Sequence, residues 1–256
     1  MDATIATISC THSPFCSEST IDWVLHELSK LETSITHFVH LGDVFEANAA
    51  SVHGSEYSHT LLDEYAHAAK LLARIRKELP RGVDLTICTG NHDDNIQAAD
   101  PKRVPADLRQ LVNWMDHPEF GQEFRRWEWL PYEKTRRCVK RVGNVLLQHG
   151  FMAGGNSDQN EAIQAINSCG GHSHTLVVRG HTHRPLPPTQ IMKNPTIPLP
   201  FWCMNVGCLR DYDPPPAWMK RRDSSQWGHA LGIIRCRNER PSRLSGVTWH
   251  AELIRR

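Results

Sequence analysis

The sequence predicts an α/β fold: a parallel sheet with helices packed on it, joined to a second sheet. Three observations carry this reading. Apolar, β-branched runs alternate with amphipathic helical stretches through the first ninety residues, the rhythm of βαβ units. Each of those apolar runs ends abruptly in a cluster of Gly, Asp, Asn, Cys or His. The second half changes to short strands joined by turns and proline-rich connections, with no repeat, low-complexity tract or linker to divide it. One domain over residues 1–256 is therefore expected.

The elements follow in order. Residues 3–9 form a first strand that stops at Cys10-Thr11-His12-Ser13-Pro14. A helix is expected from Ser19, whose hydroxyl and Asp22 have capping-box spacing, with Trp23, Val24, Leu28 and Leu31 at helical intervals. Residues 36–41 form a second strand running into Gly42-Asp43-Val44-Phe45-Glu46. Residues 56–79 read as a long helix with Leu61, Leu62, Tyr65, Ala69, Leu72 and Ile75 on one face. Residues 83–89 form a third strand ending in Gly90-Asn91-His92-Asp93. Beyond it, 134–141 and 145–149 flank a Gly143-Asn144 turn as a hairpin, and 157–167 suit a helix. A strand at 176–179 leads into Gly180-His181-Thr182-His183, proline-rich connections cover 185–200 and 214–216, and strands are expected at 201–206, 230–236 and 247–254.

Composition narrows the class without naming a partner. With 29 basic and 28 acidic side chains the net charge is +1, so only local patches can favour an acidic or basic ligand. The N terminus has an acid and no basic region followed by a long apolar core, and no run is long enough to span a bilayer. The eight cysteines are scattered without a Cys-x-x-Cys pair, which predicts reduced thiols and a cytoplasmic protein away from membranes. The sixteen histidines are unusual, and several stand where apolar runs end.

Those strand-end clusters are suited to metal binding. On an extended segment, residues two apart point the same way, so Cys10 and His12 are expected to aim at one point, and His181 and His183 likewise. Asp43 has two carboxylate oxygens, enough to bridge a pair of cations; Asn91 offers an amide oxygen and His149 another nitrogen. Nitrogen and oxygen donors with one thiolate suit Zn, Fe or Mn better than Ca. Two divalent ions balanced by one thiolate, one carboxylate and a hydroxide keep a net positive charge, which favours a phosphate.

Gly42-Asp43-x-x-Glu46, Gly90-Asn91-His92-Asp93, His149-Gly150 and Gly180-His181-Thr182-His183, in that order, resemble the calcineurin-like metallophosphoesterase family, with Asn205-x-Gly207 as a late element. The resemblance implies a four-layer α-β-β-α sandwich, two mixed β-sheets with helices on the outer faces. It implies two divalent transition-metal ions, one held by Cys10, His12, Asp43 and His183, the other by Asp43, Asn91, His149 and His181. It implies hydrolysis by a metal-bridging hydroxide, with His92 contacting the phosphate beside Asn91 and protonating the leaving oxygen. Glu46 is implied as the carboxylate that orients His92. One departure stands out: the family usually has Asp-x-His first, and here Cys10-Thr11-His12 occurs, as in the lariat-debranching enzyme. Thiolate for carboxylate keeps the formal charge and changes softness.

The expected substrate is a phosphoester, with a diester favoured because few basic residues lie in the motif loops to grip a dianion. The alternatives are a nuclease acting on DNA or RNA, a phosphomonoesterase and, from another class, a metal-free scaffold. Residues 120–141 bear on the nuclease. Arg125, Arg126, Lys134, Arg136, Arg137, Lys140 and Arg141 are interleaved with Trp127, Trp129 and Tyr132, as in a surface that pairs phosphates and stacks bases. The same pattern suits the wet face of a hairpin with its aromatics in the core. Of the remaining histidines, His37 and His40 read as sheet residues, His53, His59 and His67 as the solvent side of the second helix, and His172 and His174 as loop residues.

Overall fold

The computed structural model describes residues 2–31, 34–47, 50, 59–97, 113–133, 135–170, 174–191, 200–213, 225–237 and 248–256. In one sheet β1 (Ala3–Ile8), β2 (His37–His40), β3 (Asp84–Cys88) and β4 (Glu128–Leu130) run parallel, while β10 (Ala230–Cys236) and β11 (Trp249–Arg255) add antiparallel strands beyond β1. In the other, β6 (Val145–Leu147), β7 (Leu176–Arg179) and β9 (Phe201–Asn205) are parallel, and β5 (Lys140–Val142) and β8 (Leu186–Ile191) form antiparallel edges. Both sheets are mixed, as the implied sandwich requires.

The period-2 alternation of side chains sorts each strand between two cores. Ile5, Val39, Cys88, Val145, Leu147, Leu176, Val178 and Ile234 face one another between the sheets. Ala6, Ile8, Phe38, Ile87 and Ile233 face outward, against α1 (Glu18–Ser29) and α2 (Leu61–Glu78). Leu146, Val177 and Cys203 face the opposite way and meet Ala162, Ala165 and Ile166; a short α3 (Asn91–Gln97) and a one-turn α4 (Gly121–Phe124) lie before the helix that carries those three, α5 (Ser157–Cys169). Three apolar layers thus separate helix, sheet, sheet and helix.

Several local expectations change. The N-cap of α1 is Ser17, whose hydroxyl accepts from the Thr20 backbone N–H, and not Ser19; the Asp22 carboxylate is taken by Arg74 of α2 instead. α2 begins at Thr60, where Thr60 and Asp63 form a complete capping box, whereas the expected start at 56–58 lies outside the described residues. In the hairpin, the first strand is only Lys140–Val142, preceded by a 3-10 turn at Arg136–Cys138; Val142 pairs with Val145 across Gly143-Asn144. Strand β8 falls in a segment expected to be a connection, and its Pro187 and Pro188 are tolerated because it is an edge. His53, His172, Lys134, Val247 and the proline run at 214–216 lie outside the described residues.

Residues 120–141 divide their aromatics. Trp127 is buried against Phe38, and Trp129 packs with Trp114 and Phe45, so neither ring is presented for base stacking. Tyr132 lies apart, beside His149 and Phe151. Lys140 pairs with Asp84 and Glu128, and Arg126 and Arg137 with Glu123 and Glu133. This favours the hairpin-face reading of that stretch. Among the described residues no helix is long and apolar enough to cross a membrane, and all eight cysteines are free thiols.

The capping box of α2 offers a test of the fold. Thr60→Ala removes the hydroxyl that accepts from Asp63 N–H, and is expected to lower the unfolding free energy by about 1 kcal/mol. Urea titration monitored by circular dichroism measures it; an unchanged midpoint would show that the cap contributes nothing.

Candidate metal centre

The site forms where strands from both sheets end. The segment after β1 runs beside the one after β2: Cys10 N–H donates to Gly42 carbonyl at 2.9 Å, His12 N–H to Asp43 carbonyl at 2.9 Å and Ser13 N–H to Val44 carbonyl at 2.8 Å. The loop after β7 is tied to the end of β6 by Gly180 N–H to His149 carbonyl at 3.1 Å. The Asn205 side-chain amide, at the end of β9, donates to Gly180 carbonyl, to Thr182 Oγ1 and to Asp158. That is the work done by the late Asn205-x-Gly207 element.

Close backbone approach requires glycine at two motif positions. Gly42 has φ +83°, and a β-carbon there would lie 2.3 Å from the Cys88 carbonyl and 2.8 Å from His149 Nδ1. A β-carbon on Gly90 would lie 2.1 Å from Asp43 Oδ1. Asp93 then joins the two loops, accepting from Phe45 N–H at 3.0 Å and Gly90 N–H at 2.8 Å. Phe45 itself is clamped among Tyr65, Trp114 and Phe124, which anchors the segment carrying Asp43 and Glu46 in the outer core.

The donors reach the site by a route different from the expected one. Cys10 (φ +53°), His12 (+46°), Asp43 (+53°), His181 (+66°) and His183 (+61°) all adopt the left-handed backbone region. They are not residues of extended segments, and the argument from alternating strand side chains does not apply to them. Instead of pointing together, His183 joins Cys10, His12 and Asp43, while His181 joins Asp43 and His149. The four ligating atoms of the first group all lie within 4.8 Å of one another, and so do the three of the second. Asn91 Oδ1 is 3.1 Å from His149 Nε2, which adds it to the second group. The seven predicted donors are thus brought together as two clusters sharing Asp43.

Each left-handed residue with a side chain costs about 1–3 kcal/mol. Five of them together rival the entire stability of a domain, about 5–15 kcal/mol. The surrounding hydrogen bonds and core contacts must overdetermine these loops.

The hydrogen-bond chemistry fits bound cations. His149 Nδ1 lies 2.6 Å from the Leu41 carbonyl, which can only accept, so Nδ1 carries a proton, and Nε2 faces Asp43 Oδ2 at 3.3 Å and Asn91 Oδ1 at 3.1 Å. His12 repeats the pattern: Nδ1 is 2.8 Å from Glu46 Oε2, and Nε2 faces His183 Nε2 at 3.1 Å and Asp43 Oδ2 at 3.6 Å. Nitrogens and oxygens converging on one point in this way are held together by a proton or a metal cation among them. Burial, reinforced by neighbouring histidines, depresses His183 well below the usual imidazole range and His181 to about 3, which keeps both rings neutral and available as donors. Burial pushes Asp43 up, but His149, His92 and His12 outweigh it and hold the carboxyl well below its ordinary value. Cys10 is the exception: burial and the Asp43 charge push its thiol up, so a thiolate there needs a cation beside it.

Glu46 and His92 are both present, with a changed connection. The Glu46 carboxylate serves His12 Nδ1; it is the Glu46 backbone carbonyl, 2.7 Å away, that accepts from His92 Nδ1. The His92 backbone N–H donates to Asp43 Oδ1 at 2.9 Å. Burial lowers His92, but Asp43 and Glu46 outweigh it and the net shift favours the protonated ring. Asn91, His92 and His181 are half-buried, whereas the other five donors are buried, so these three border the accessible side.

Some neighbours of the centre carried no recognisable signal. Arg210, fully buried, stands 3.6 Å from Glu46, and Trp227 meets His183 edge-on. His40 accepts from Gly42 N–H and contacts Thr11 Oγ1 at 3.1 Å, stiffening two motif loops from within the sheet. His67, expected on the solvent side of α2, is half-buried and reaches Ser13 Oγ at 3.1 Å.

The family model for the calcineurin-like phosphoesterase superfamily domain matches residues 4–219. The chain belongs to this superfamily. Among solved structures, it is similar to a single mutant of Vps29 from Entamoeba histolytica, at 12% identity over 98% of each chain with TM-score 0.41. It is also similar to a hypothetical protein from Pyrococcus horikoshii, at 12% identity over 99% of this chain and 87% of that one with TM-score 0.48. The 5'-nucleotidase precursor from Thermus thermophilus matches at 14% identity over 100% of this chain and 54% of that one, with TM-score 0.41. No curated protein matches the chain significantly. The superfamily motifs fall at the ends of β1, β2, β3, β6 and β7, where the donors gather.

Proposed function

We propose that the chain is a dinuclear metal-dependent phosphoester hydrolase, with a phosphodiester as substrate. The observation that carries the reading is the pair of donor clusters sharing Asp43, with His92 beside them on the accessible side. Cys10, His12, Asp43 and His183 would hold one cation and Asp43, Asn91, His149 and His181 the other, from among Fe, Zn and Mn. Two such ions, when bound, supply a nucleophile from water at neutral pH and neutralise charge on the phosphoryl oxygens.

The chain's own groups do the rest. Glu46 fixes the His12 ring through Nδ1, and the Leu41 carbonyl fixes His149 in the same way. His92 is oriented by the Glu46 carbonyl, and the adjacent carboxylates shift it towards its protonated form against the effect of burial. With Nδ1 committed to that carbonyl, the proton for the leaving oxygen comes from Nε2 as the P–O bond breaks. Preference for a diester rests on charge: among the described residues, Arg184, next to His183, donates to the Gly154 carbonyl, and the buried Arg179 and Arg210 are turned to Asp158 and Glu46. None of the three is presented to the second negative charge of a monoester.

Turnover of bis-p-nitrophenyl phosphate and p-nitrophenyl phosphate, each with Mn, Fe and Zn, tests the reading. The diester is expected to be faster; a faster monoester would overturn the substrate class, and no turnover with any of the metals would remove the enzyme reading. His92→Ala is expected to keep its metal content while losing about 10²–10⁴ in rate on an alkyl leaving group. The loss should shrink for p-nitrophenolate, which leaves without a proton, and an equal loss on both would show that His92 is not the acid.

Cys10 sets metal preference, because a thiolate favours Zn or Fe(II) over Mn. Cys10→Asp is expected to remain active with its preference shifted towards Mn, and Cys10→Ala to lose metal from the first cluster. Metal analysis after dialysis measures both; two equivalents retained by Cys10→Ala would make Cys10 a bystander.

A further inference from the structure

We infer that Arg210 is a positioning residue for the first donor cluster, acting through Glu46 on His12. The inference rests on the metal-centre reading above, which assigns Arg210 no part.

Arg210 follows β9 on a loop that closes over the first motif. Its backbone N–H donates to the Cys10 carbonyl at 3.0 Å, and the preceding Leu209 N–H bonds Ser9 and Cys10 carbonyls. Its guanidinium is fully buried, lies 4.4 Å above the centre of the Phe15 ring, and donates through Nη1 to the Asp211 carbonyl at 2.6 Å. Nε is 3.6 Å from Glu46 Oε2, the same oxygen that stands 2.8 Å from His12 Nδ1. Guanidinium, carboxylate and imidazole therefore form a buried row that ends at the His12 Nε2 lone pair, on the side of Cys10, Asp43 and His183.

A carboxylate buried this completely is stable only with its charge matched. His12 alone gives Glu46 one contact, at Oε2, and its ring is committed through Nε2 to the donor cluster. Arg210 supplies a permanent charge and a fixed direction. It leaves Oε2 in place to hold the Nδ1 proton, which presents Nε2 correctly and raises its basicity. Glu46 without Arg210 keeps one neighbour fewer, and its hold on the ring loosens.

The rival explanation is that Arg210 simply fills space over Phe15. Arg210→Met keeps most of the volume and removes the charge; Arg210→Lys keeps the charge. The probe is Co(II), whose absorption reports thiolate coordination and so distinguishes the cluster containing Cys10 from the other. Arg210→Met is expected to weaken Co(II) binding at the thiolate cluster by about 10–100-fold, with the second binding step little changed; the thermal midpoint of the metal-free protein is expected to fall, because the buried Glu46 loses its charge match. Arg210→Lys should recover much of the loss. Glu46→Gln should weaken the same step, and adding Arg210→Met to it should cost little more.

Unchanged thiolate-cluster affinity in Arg210→Met would overturn the inference. So would a loss that adds in full to that of Glu46→Gln, or an equal loss at both clusters. A parent protein that binds no Co(II) would overturn the metal-centre reading as well, which separates the two failures.

Discussion

An ionised carboxylate in a nearly dry interior dictates much of this architecture. Asp43 is only 2% exposed, and burial alone would force a proton onto it. Its surroundings prevent this. Oδ1 accepts from the His92 backbone, and Oδ2 stands between His149 and His12, one from each donor cluster. Every loop of the centre approaches this one group, and the two motif glycines exist because the chain must pass within a β-carbon's reach of it or of its neighbours.

The same constraint explains why two sheets are needed. The ends of β1, β2 and β3 deliver Cys10, His12, Asp43 and Asn91; the ends of β6 and β7 deliver His149, His181 and His183. A single sheet would present its loops in a row, and donors would reach a cation from one side. Stacking the sheets on the shared apolar layer that contains Val39, Val178 and Ile234 sets the loop groups face to face, so ligating atoms converge from both sides. Ligands bind at the carboxyl ends of strands in open α/β sheets, and here two sets of such ends are merged.

Legibility in the sequence followed period and punctuation. Strands β1, β2, β3, β6, β7 and β9 stood out because apolar runs ended at recognisable motif residues, and the motif order pointed to the fold and to residues that the structure gathers at one centre. Short or compromised elements did not: β4 is three residues of mixed polarity, β8 contains two prolines, and α3 begins inside the Asn91 motif itself. The Ser19 cap failed because Asp22 has a stronger partner in Arg74, a contact 52 residues away that no local pattern contains. Glu46 lies beside His92 but meets it through its backbone carbonyl while its carboxylate meets His12, because which oxygen reaches which ring depends on the backbone path. Arg210 and Asp93 act through distances across loops, and a lone arginine or aspartate after a motif carries no signal of that.

The left-handed backbone at Cys10, His12, Asp43, His181 and His183 sets fold and function in opposition. Glycine would adopt those angles with little strain, so on backbone energetics alone it suits these positions better than the residues present. The donors therefore stand against a local backbone preference, which glycine would relieve only by removing the side chains that tie the loops together. Backbone strain and the gathering of donor atoms thus fall on the same five side chains.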